Sequence, residues 1–377
     1  MQTSTSKFSL RENVRLRILK EMIANLKEKF RSVSNFIMVI DPITTKIMSS
    51  TVKPIELIEE GVLVLERLEL GRKSFHEAHA IYFVAPVEQS INFIIKDFMD
   101  PSDPQYGNIH LFFSNHVPPK LFEKLKKQKT LLERVLTFKE INIDFVSPEP
   151  NVFHLNLPEA LPVIFSKQGQ PETQILEEKI AARFAALIPN LGDFSTFQII
   201  YNKNKQNSIA EKIATFVKEK AERFLKLKSE DDDDDDNIYP VKIVILDRSF
   251  DPLTPALLDY HYKSMLYEFL GVEGDVIEFD GQDKEGNPVK KIAVLNDKDD
   301  VWVRYKDQFI SDAMMKISGE FDEFVRKNAN AQMSKTPEAS MDLSQMLLIA
   351  QQIPQYEELL EKYTLHMSLI EKVLEVI

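Results

Sequence analysis

An aspartate at the carboxyl end of a buried strand is where an α/β phosphohydrolase places its nucleophile, and two residues answer that description. Asp41 follows the apolar run 36–40, and Asp247 follows the branched aliphatic run 241–246. They are the strongest enzyme candidates in the sequence, but their surroundings favour a structural part. Asp251 lies four residues beyond Asp247 and is followed by Pro252, a pattern suited to capping backbone amides in a turn. Among the seven histidines only His76 and His79 are near neighbours. Their spacing fits one helical face, but the order of residues around them is not that of a zinc protease, so both read as surface imidazoles and no metal site is expected.

Other chemistries are excluded by what the chain lacks. There is no cysteine, hence no thiolate nucleophile, disulfide or sulfur-ligated zinc, which fits a reducing compartment. Glycine is scarce, at 10 of 377 residues, and the turn after the first strand reads Asp-Pro-Ile-Thr-Thr-Lys (41–46) where a dinucleotide fingerprint would need glycines. No glycine is placed for a Walker loop or a nucleophile elbow, and no cofactor is expected. Asp231–Asp236, preceded by Glu230, is a self-repelling run that must be a solvated loop, and it lacks the alternating ligands and turn glycine of a calcium loop.

Net charge is −12, from 47 basic and 59 acidic residues, which argues against nucleic acid as a partner. Residues 1–150 hold 21 basic and 19 acidic side chains, so the acidity lies in the remainder, with 26 against 40. No apolar run approaches a membrane span, and the arginines and glutamates of the first 31 residues are unlike a secretory signal. A large surface with 25 phenylalanines and no catalytic constellation describes a binding scaffold better than an enzyme.

The elements that must position these residues follow from periodicity. Val14, Ile18, Met22, Leu26 and Phe30 form one stripe of a first helix over 10–30. Apolar runs at 36–40, 62–65, 81–85, 109–113 and 141–146 predict five buried strands, alternating with helices at 55–60, 87–98 and 119–137. That order winds a parallel sheet with helices on both faces. Helices are expected at 172–188 and 209–227, then a central strand at 241–246. Thr254 as cap, Pro255 at the first position and Gly271 at the end predict a helix over 255–270, with long helices at 301–328 and 343–377 after it.

These residues also carry a resemblance. VKIVILDRSFDPLTP (241–255) resembles the signature of the SM (Sec/Munc) family of syntaxin-binding proteins, regulators of SNARE-driven membrane fusion. FIMVIDPITTKIMSS (36–50), AIYFVAPVEQSINFIIKDF (80–98), IHLFFSNHVPPKLFEKL (109–125), TFKEINIDFVSPE (137–149) and NDKDDVWV (296–303) resemble family segments in the same order. DLSQMLLIAQQIPQYEELLEKYTLHMSLIEKV (342–373) resembles the exocytic branch.

The resemblance implies an arch-shaped α/β fold in three domains. These are an α/β syntaxin-binding domain over 1–147, the first part of a second α/β domain over 148–247 containing the acidic loop 230–236, and a mainly helical third domain over 248–377. Because family members continue further, the sequence ending at Ile377 reads as incomplete in its third domain. A pocket for the N-terminal peptide of syntaxin is implied at Phe122, Val135, Phe138 and Glu140, with Phe138 replacing a usual aliphatic residue. A cleft for the syntaxin helical bundle is implied at Asp41, Lys46, Lys53 and Glu66, with Lys46 where arginine is common and Leu70 where a charge is expected. The implied partners are a syntaxin-type SNARE and the assembled SNARE complex. The implied location is cytoplasmic, reaching the plasma membrane or secretory vesicles only through those partners.

Overall fold

A stripe of apolar residues every four positions drifts around an α-helix of 3.6 residues per turn, unless the helix underwinds. Here it does. Helix α1 (Leu10–Leu16) passes into a π-helical stretch, Arg17–Ala24, and then α2 (Asn25–Lys29). Val14, Ile18 and Met22 thereby stay fully buried. The computed structural model describes residues 8–166, 170–191, 197–203, 209–228, 241–272, 274–282, 288–296, 299–333 and 343–377; the hexa-aspartate tract lies outside the described residues. The chain divides into two compact units, Met1–Phe250 and Asp251–Ile377.

In the first unit, β1 (Phe36–Ile40) is buried along its whole length. It is followed by α3 (Pro42–Thr51), α4 (Pro54–Glu59), β2 (Val62–Arg67), β3 (Phe75–Val84), α5 (Glu88–Asp97) and β4 (Tyr106–Phe113). Then come α6 (Pro119–Lys126), α7 (Lys129–Leu132) and β5 (Val135–Glu140). The five strands form one parallel sheet in the order β2-β1-β3-β4-β5. Strand alternation gives it two apolar faces. Phe36, Met38, Ile40, Ile81, Phe83 and Phe112 pack with the first helix and α3, while Ile37, Val39, Tyr82, Val84, Leu111 and Phe113 pack with α5, α6 and α7.

The expected parallel α/β architecture is present, with corrections in detail. The fifth strand is Val135–Glu140, and the segment 119–137 expected as one helix breaks after Lys126, is helical again at Lys129–Leu132, and ends as strand. The run 141–146 is buried because Ile141, Ile143 and Phe145 plug the first core, but Asn142 at φ 52° takes it out of the ladder. β6 (Val146–Glu149) instead pairs with β7 (Val152–His154) as an antiparallel hairpin.

The unit continues through α8 (Ala160–Ser166), α9 (Pro171–Ala185), β8 (Phe197–Tyr201), α10 (Ile209–Lys228) and β9 (Val241–Ile245). β9 was expected as a central strand, yet among the described residues it pairs only with β8, in parallel, and leaves Val244 60% and Leu246 54% exposed. Ala181, Val217, Ala221 and Ile243 form a small core beneath this pair.

In the second unit the expected helix over 255–270 is shorter. Asp251 accepts from the amides of Leu253 and Thr254, which tightens the chain into a 3-10 turn at Thr254–Ala256. The helix proper, α11 (Tyr262–Phe269), starts after His261, which bridges to Phe309, while the Ile310 amide donates to the Tyr260 carbonyl at 2.9 Å. Its end is as predicted, with Gly271 at φ 63°, where glycine relieves left-handed strain. An antiparallel hairpin of β10 (Val276–Gln282) and β11 (Pro288–Val294) follows, which the sequence reading missed. The unit ends with α12 (Asp300–Tyr305), α13 (Ile310–Met333) and α14 (Leu343–Val376). Its core joins Tyr262, Leu266, Trp302, Ile317, Leu369 and Val373. Inside it His366, wholly buried, lies 2.7 Å from the Tyr262 hydroxyl and 2.9 Å from Asp299, whose other oxygen caps α12.

Candidate functional site

The two edges of the five-stranded sheet present the two candidate surfaces, and a bulge shapes the one at β5. Val135 pairs with Ile109 and Thr137 with His110, so Leu136 is an extra residue on this strand. The bulge resets the alternation. Val135 packs with Leu111, Leu125 and Leu131, and Phe138 lies on the same side, its ring centroid 5.3 Å from that of Phe113. Thr137 turns to the opposite face, where its hydroxyl meets His110 Nδ1 at 3.0 Å.

Phe122, carried on α6, meets Phe138 edge-on at 5.5 Å. Both rings stay more than a third exposed (36% and 40%), which marks a surface built for contact rather than a core. One cavity of about 290 Å³ lies beside the pair, lined by Leu111, Leu125, Leu131, Leu132 and Val135 with Lys126 at its rim. A second, of about 530 Å³, is lined by His116, Val117, Pro119, Lys139 and Glu140, and both are bordered by Phe122 and Phe138. The Glu140 carboxylate is fixed at the mouth: one oxygen accepts from the Val117 amide at 2.8 Å, the other lies 2.9 Å from His116 Nδ1. Lys126 Nζ sits 5.0 Å from the Phe122 ring centroid. Phe122, Val135, Phe138 and Glu140, singled out in the sequence, thus stand together around one groove.

The residues named for the cleft are not equivalent. Asp41 is wholly buried at the N-terminus of α3: one carboxylate oxygen accepts from the amides of Ile43 and Thr44 and the Thr44 hydroxyl, the other from the Ala85 amide and the Ser90 hydroxyl. It cannot touch a partner, and its place in a contact surface is corrected to that of a cap. Lys46, exposed on the same helix, donates to Asn156 at 3.3 Å, and Lys53 is exposed before α4. Glu66 on β2 accepts from the Tyr106 hydroxyl. Behind it lies a buried pair that sequence reasoning missed, with Arg72 donating to both oxygens of Asp97 at 2.7 and 2.8 Å and reaching Tyr106 at 3.5 Å. Burial pulls the Arg72 pKa down, but the charge and hydrogen bonds of Asp97, with Tyr82 and Tyr106, together outweigh it and the guanidinium stays above its ordinary value. The parallel runs AIYFV and IHLFF hint at β3 beside β4, but nothing in them pairs Arg72 with Asp97.

The other strand-end carboxylate is also occupied. Asp247 accepts from the Ser249 amide at 2.8 Å and its hydroxyl at 2.5 Å, the capping role expected for these aspartates. His76 and His79 lie on strand β3, not on a helix. His76 is exposed, but His79 stacks on the fully buried His110 with Nδ1 3.1 Å from its Nε2, so the expectation of two surface imidazoles fails for His79. Among the described residues no cluster of three or more His, Asp or Glu is arranged to hold a metal.

A family model described as the Sec1 family matches residues 36–377. The chain belongs to the Sec1 family. Among relatives of this Sec1-family chain, the protein transport protein sec1 of Dictyostelium discoideum is 30% identical over 364 residues, covering 97% of this chain and 59% of the relative. The SNARE-interacting protein KEULE of Arabidopsis thaliana is 25% identical over 380 residues, covering 98% and 56%. The chain therefore spans a little under three fifths of the length of these relatives. The Unc18–syntaxin 1 complex from Monosiga brevicollis superposes with a TM-score of 0.76 at 23% identity, over 97% of this chain and 62% of the other. Sly1p in complex with an N-terminal peptide of Sed5p gives 0.74 at 18%, over 98% and 60%. These two share the fold.

Proposed function

We propose that this Sec1-family protein binds a syntaxin-type SNARE, receiving an N-terminal peptide of it in the groove between α6 and β5, and so sets when SNARE helices assemble during vesicle fusion. The observation that carries the reading is the convergence of Phe122, Val135, Phe138 and Glu140 on one exposed aromatic groove at a sheet edge. An aromatic anchor supplies affinity there, and the fixed Glu140 carboxylate sets register. Lys46, Lys53 and Glu66, near the opposite edge, are proposed to grip the helical bundle of the same partner. Four inter-strand steps separate the two edges, roughly 19 Å.

An exocytic step, with attachment to the plasma membrane or vesicles through the SNARE, is the branch we favour. In its support, the Dictyostelium sec1 relative is 30% identical, against 20% for the vacuolar protein sorting-associated protein 45 of Schizosaccharomyces pombe. The division into domains at 147/148 and 247/248 belongs to the same reading. No helix among the described residues is long and apolar enough to cross a membrane. Catalysis is not part of the proposal, since the carboxylates of Asp41 and Asp247 are engaged as caps.

Calorimetry with a synthetic peptide of the first twenty or so residues of the Monosiga brevicollis syntaxin 1 tests the groove. Phe122→Arg puts a charge where an apolar side chain must dock and should weaken binding at least tenfold, with Glu140→Ala weaker in effect and both proteins still folded by circular dichroism. Unchanged affinity in both variants, or no binding by the unaltered protein, refutes this site.

A further inference from the structure

The groove is not one pocket but two, and the wall between them is a side chain. The edge-on rings of Phe122 and Phe138 border both cavities, and Phe138 is braced from behind by Phe113 at 5.3 Å. A ring so held between two faces cannot turn aside without losing its aromatic contacts.

The two compartments differ chemically. Beyond the wall, the smaller one is bounded by aliphatic side chains, with Lys126 the one charged residue in its lining, and its volume of about 290 Å³ leaves ample room for an aliphatic side chain. The larger has an apolar floor of Val117 and Pro119 and a polar mouth where the Glu140 carboxylate is fixed, so it admits an apolar side chain whose neighbour is polar or cationic.

We propose that Phe138 is a specificity-determining residue: it makes the groove select an extended segment of the partner carrying two apolar side chains two residues apart, one for each compartment. The proposal rests on the docking reading given above. The spacing follows from the wall. Groups in van der Waals contact with opposite faces of a ring lie about 7 to 8 Å apart. Side chains i and i+2 of an extended chain project to the same side about 7 Å apart, whereas adjacent ones point to opposite sides.

The test is an alanine scan of the Monosiga brevicollis syntaxin 1 peptide, titrated into the full chain and into the variants Phe138→Leu and Phe122→Arg. With the unaltered protein, two apolar positions spaced i and i+2 should each cost at least tenfold in affinity. In Phe138→Leu the shorter side chain no longer separates the compartments, so one of those two positions should lose most of its effect while peptide binding persists. A single sensitive position in the unaltered protein, a different spacing, or an unchanged pattern in Phe138→Leu overturns the role of Phe138 and leaves the groove standing as a docking site. Binding that is absent, or indifferent to Phe122→Arg, overturns the docking reading and this inference with it. Should Phe138→Leu fail to fold, Phe138→Val, which is likewise too short to separate the compartments, is judged by the same criteria.

Discussion

Removing the Asp41 carboxylate tests whether this strand-end aspartate is structural. Five donors converge on it in a site with no solvent access: three at the start of α3, and two, the Ala85 amide and Ser90 hydroxyl, where β3 leads into α5. Asp41→Ala loses the helix cap, about 1 kcal/mol, and leaves the Ala85 amide buried without an acceptor, about 1–3 kcal/mol. The Thr44 and Ser90 hydroxyls can rotate and recover part of the rest; the Thr44 hydroxyl lies 2.8 Å from the Phe83 carbonyl and can donate there once the carboxylate is gone. A loss of about 3 kcal/mol results. Asp41→Asn keeps an oxygen for the cap but turns an NH2 toward the Ala85 amide, for about 2 kcal/mol. Native-state hydrogen exchange reads this directly: amides of β1 and β3 should exchange on the order of 100-fold faster in Asp41→Ala, those of β10 and β11 at unchanged rates, and Asp41→Asn should lie between. A loss below about 1 kcal/mol for alanine, or a larger effect for asparagine than for alanine, would mean that the carboxylate is not the shared acceptor described here.

Acidification gives a second check. Burial, helped by His79 and Lys29, pushes the His110 pKa down from 6.5 to about 4. Between those values the unfolded chain takes up a proton that the folded chain refuses, so this contribution is intact above pH 6.5 and lost as pH falls toward 4, by roughly 3 kcal/mol. Urea titrations at pH 7 and pH 4.5 should show a smaller difference in His110→Phe than in the unaltered protein; equal differences would remove His110 as the cause. Asp97→Ala strands Arg72, whose side chain is 6% exposed, and should destabilise the first unit by about 3–5 kcal/mol in urea titrations. Replacing both partners, as Arg72→Met with Asp97→Leu, should cost less than the single change, and a reversed order would show that the pair stabilises by attraction instead.

Which parts of this architecture were legible depends on what each residue's neighbours are in space. Phe36–Ile40 could be read as strand because both faces of a central parallel strand are covered, leaving an unbroken apolar run. Val135–Glu140 could not, since an edge strand has one poorly covered side, and its bulge puts Val135 and Phe138 three apart, a helical spacing. The stretch 141–145 shows the converse error, burial without a strand of the sheet, while Val146 pairs in the separate hairpin of β6 and β7. Pro255 and Thr254 carry a helix-start signature that is satisfied locally by a 3-10 turn, because Asp251 takes the amides first. The groove residues were legible only through resemblance to family segments; nothing in their spacing joins position 122 to 138. Asp41 was placed in the cleft by the resemblance alone, and the structural part favoured by its own surroundings is the one its buried carboxylate plays.

Trp302 is the sole tryptophan of the chain, 3% exposed, lying nearly parallel to the His366 ring at 6.2 Å and edge-on to Tyr262 at 5.6 Å. Indole emission is therefore an optical signal from the second unit alone, and the first unit, with the groove beside β5, is silent in it. Unfolding followed by this fluorescence reports when Asp251–Ile377 opens, whatever the rest of the chain is doing. Far-ultraviolet dichroism sums both units, so a gap between the two transitions measures how independently they melt.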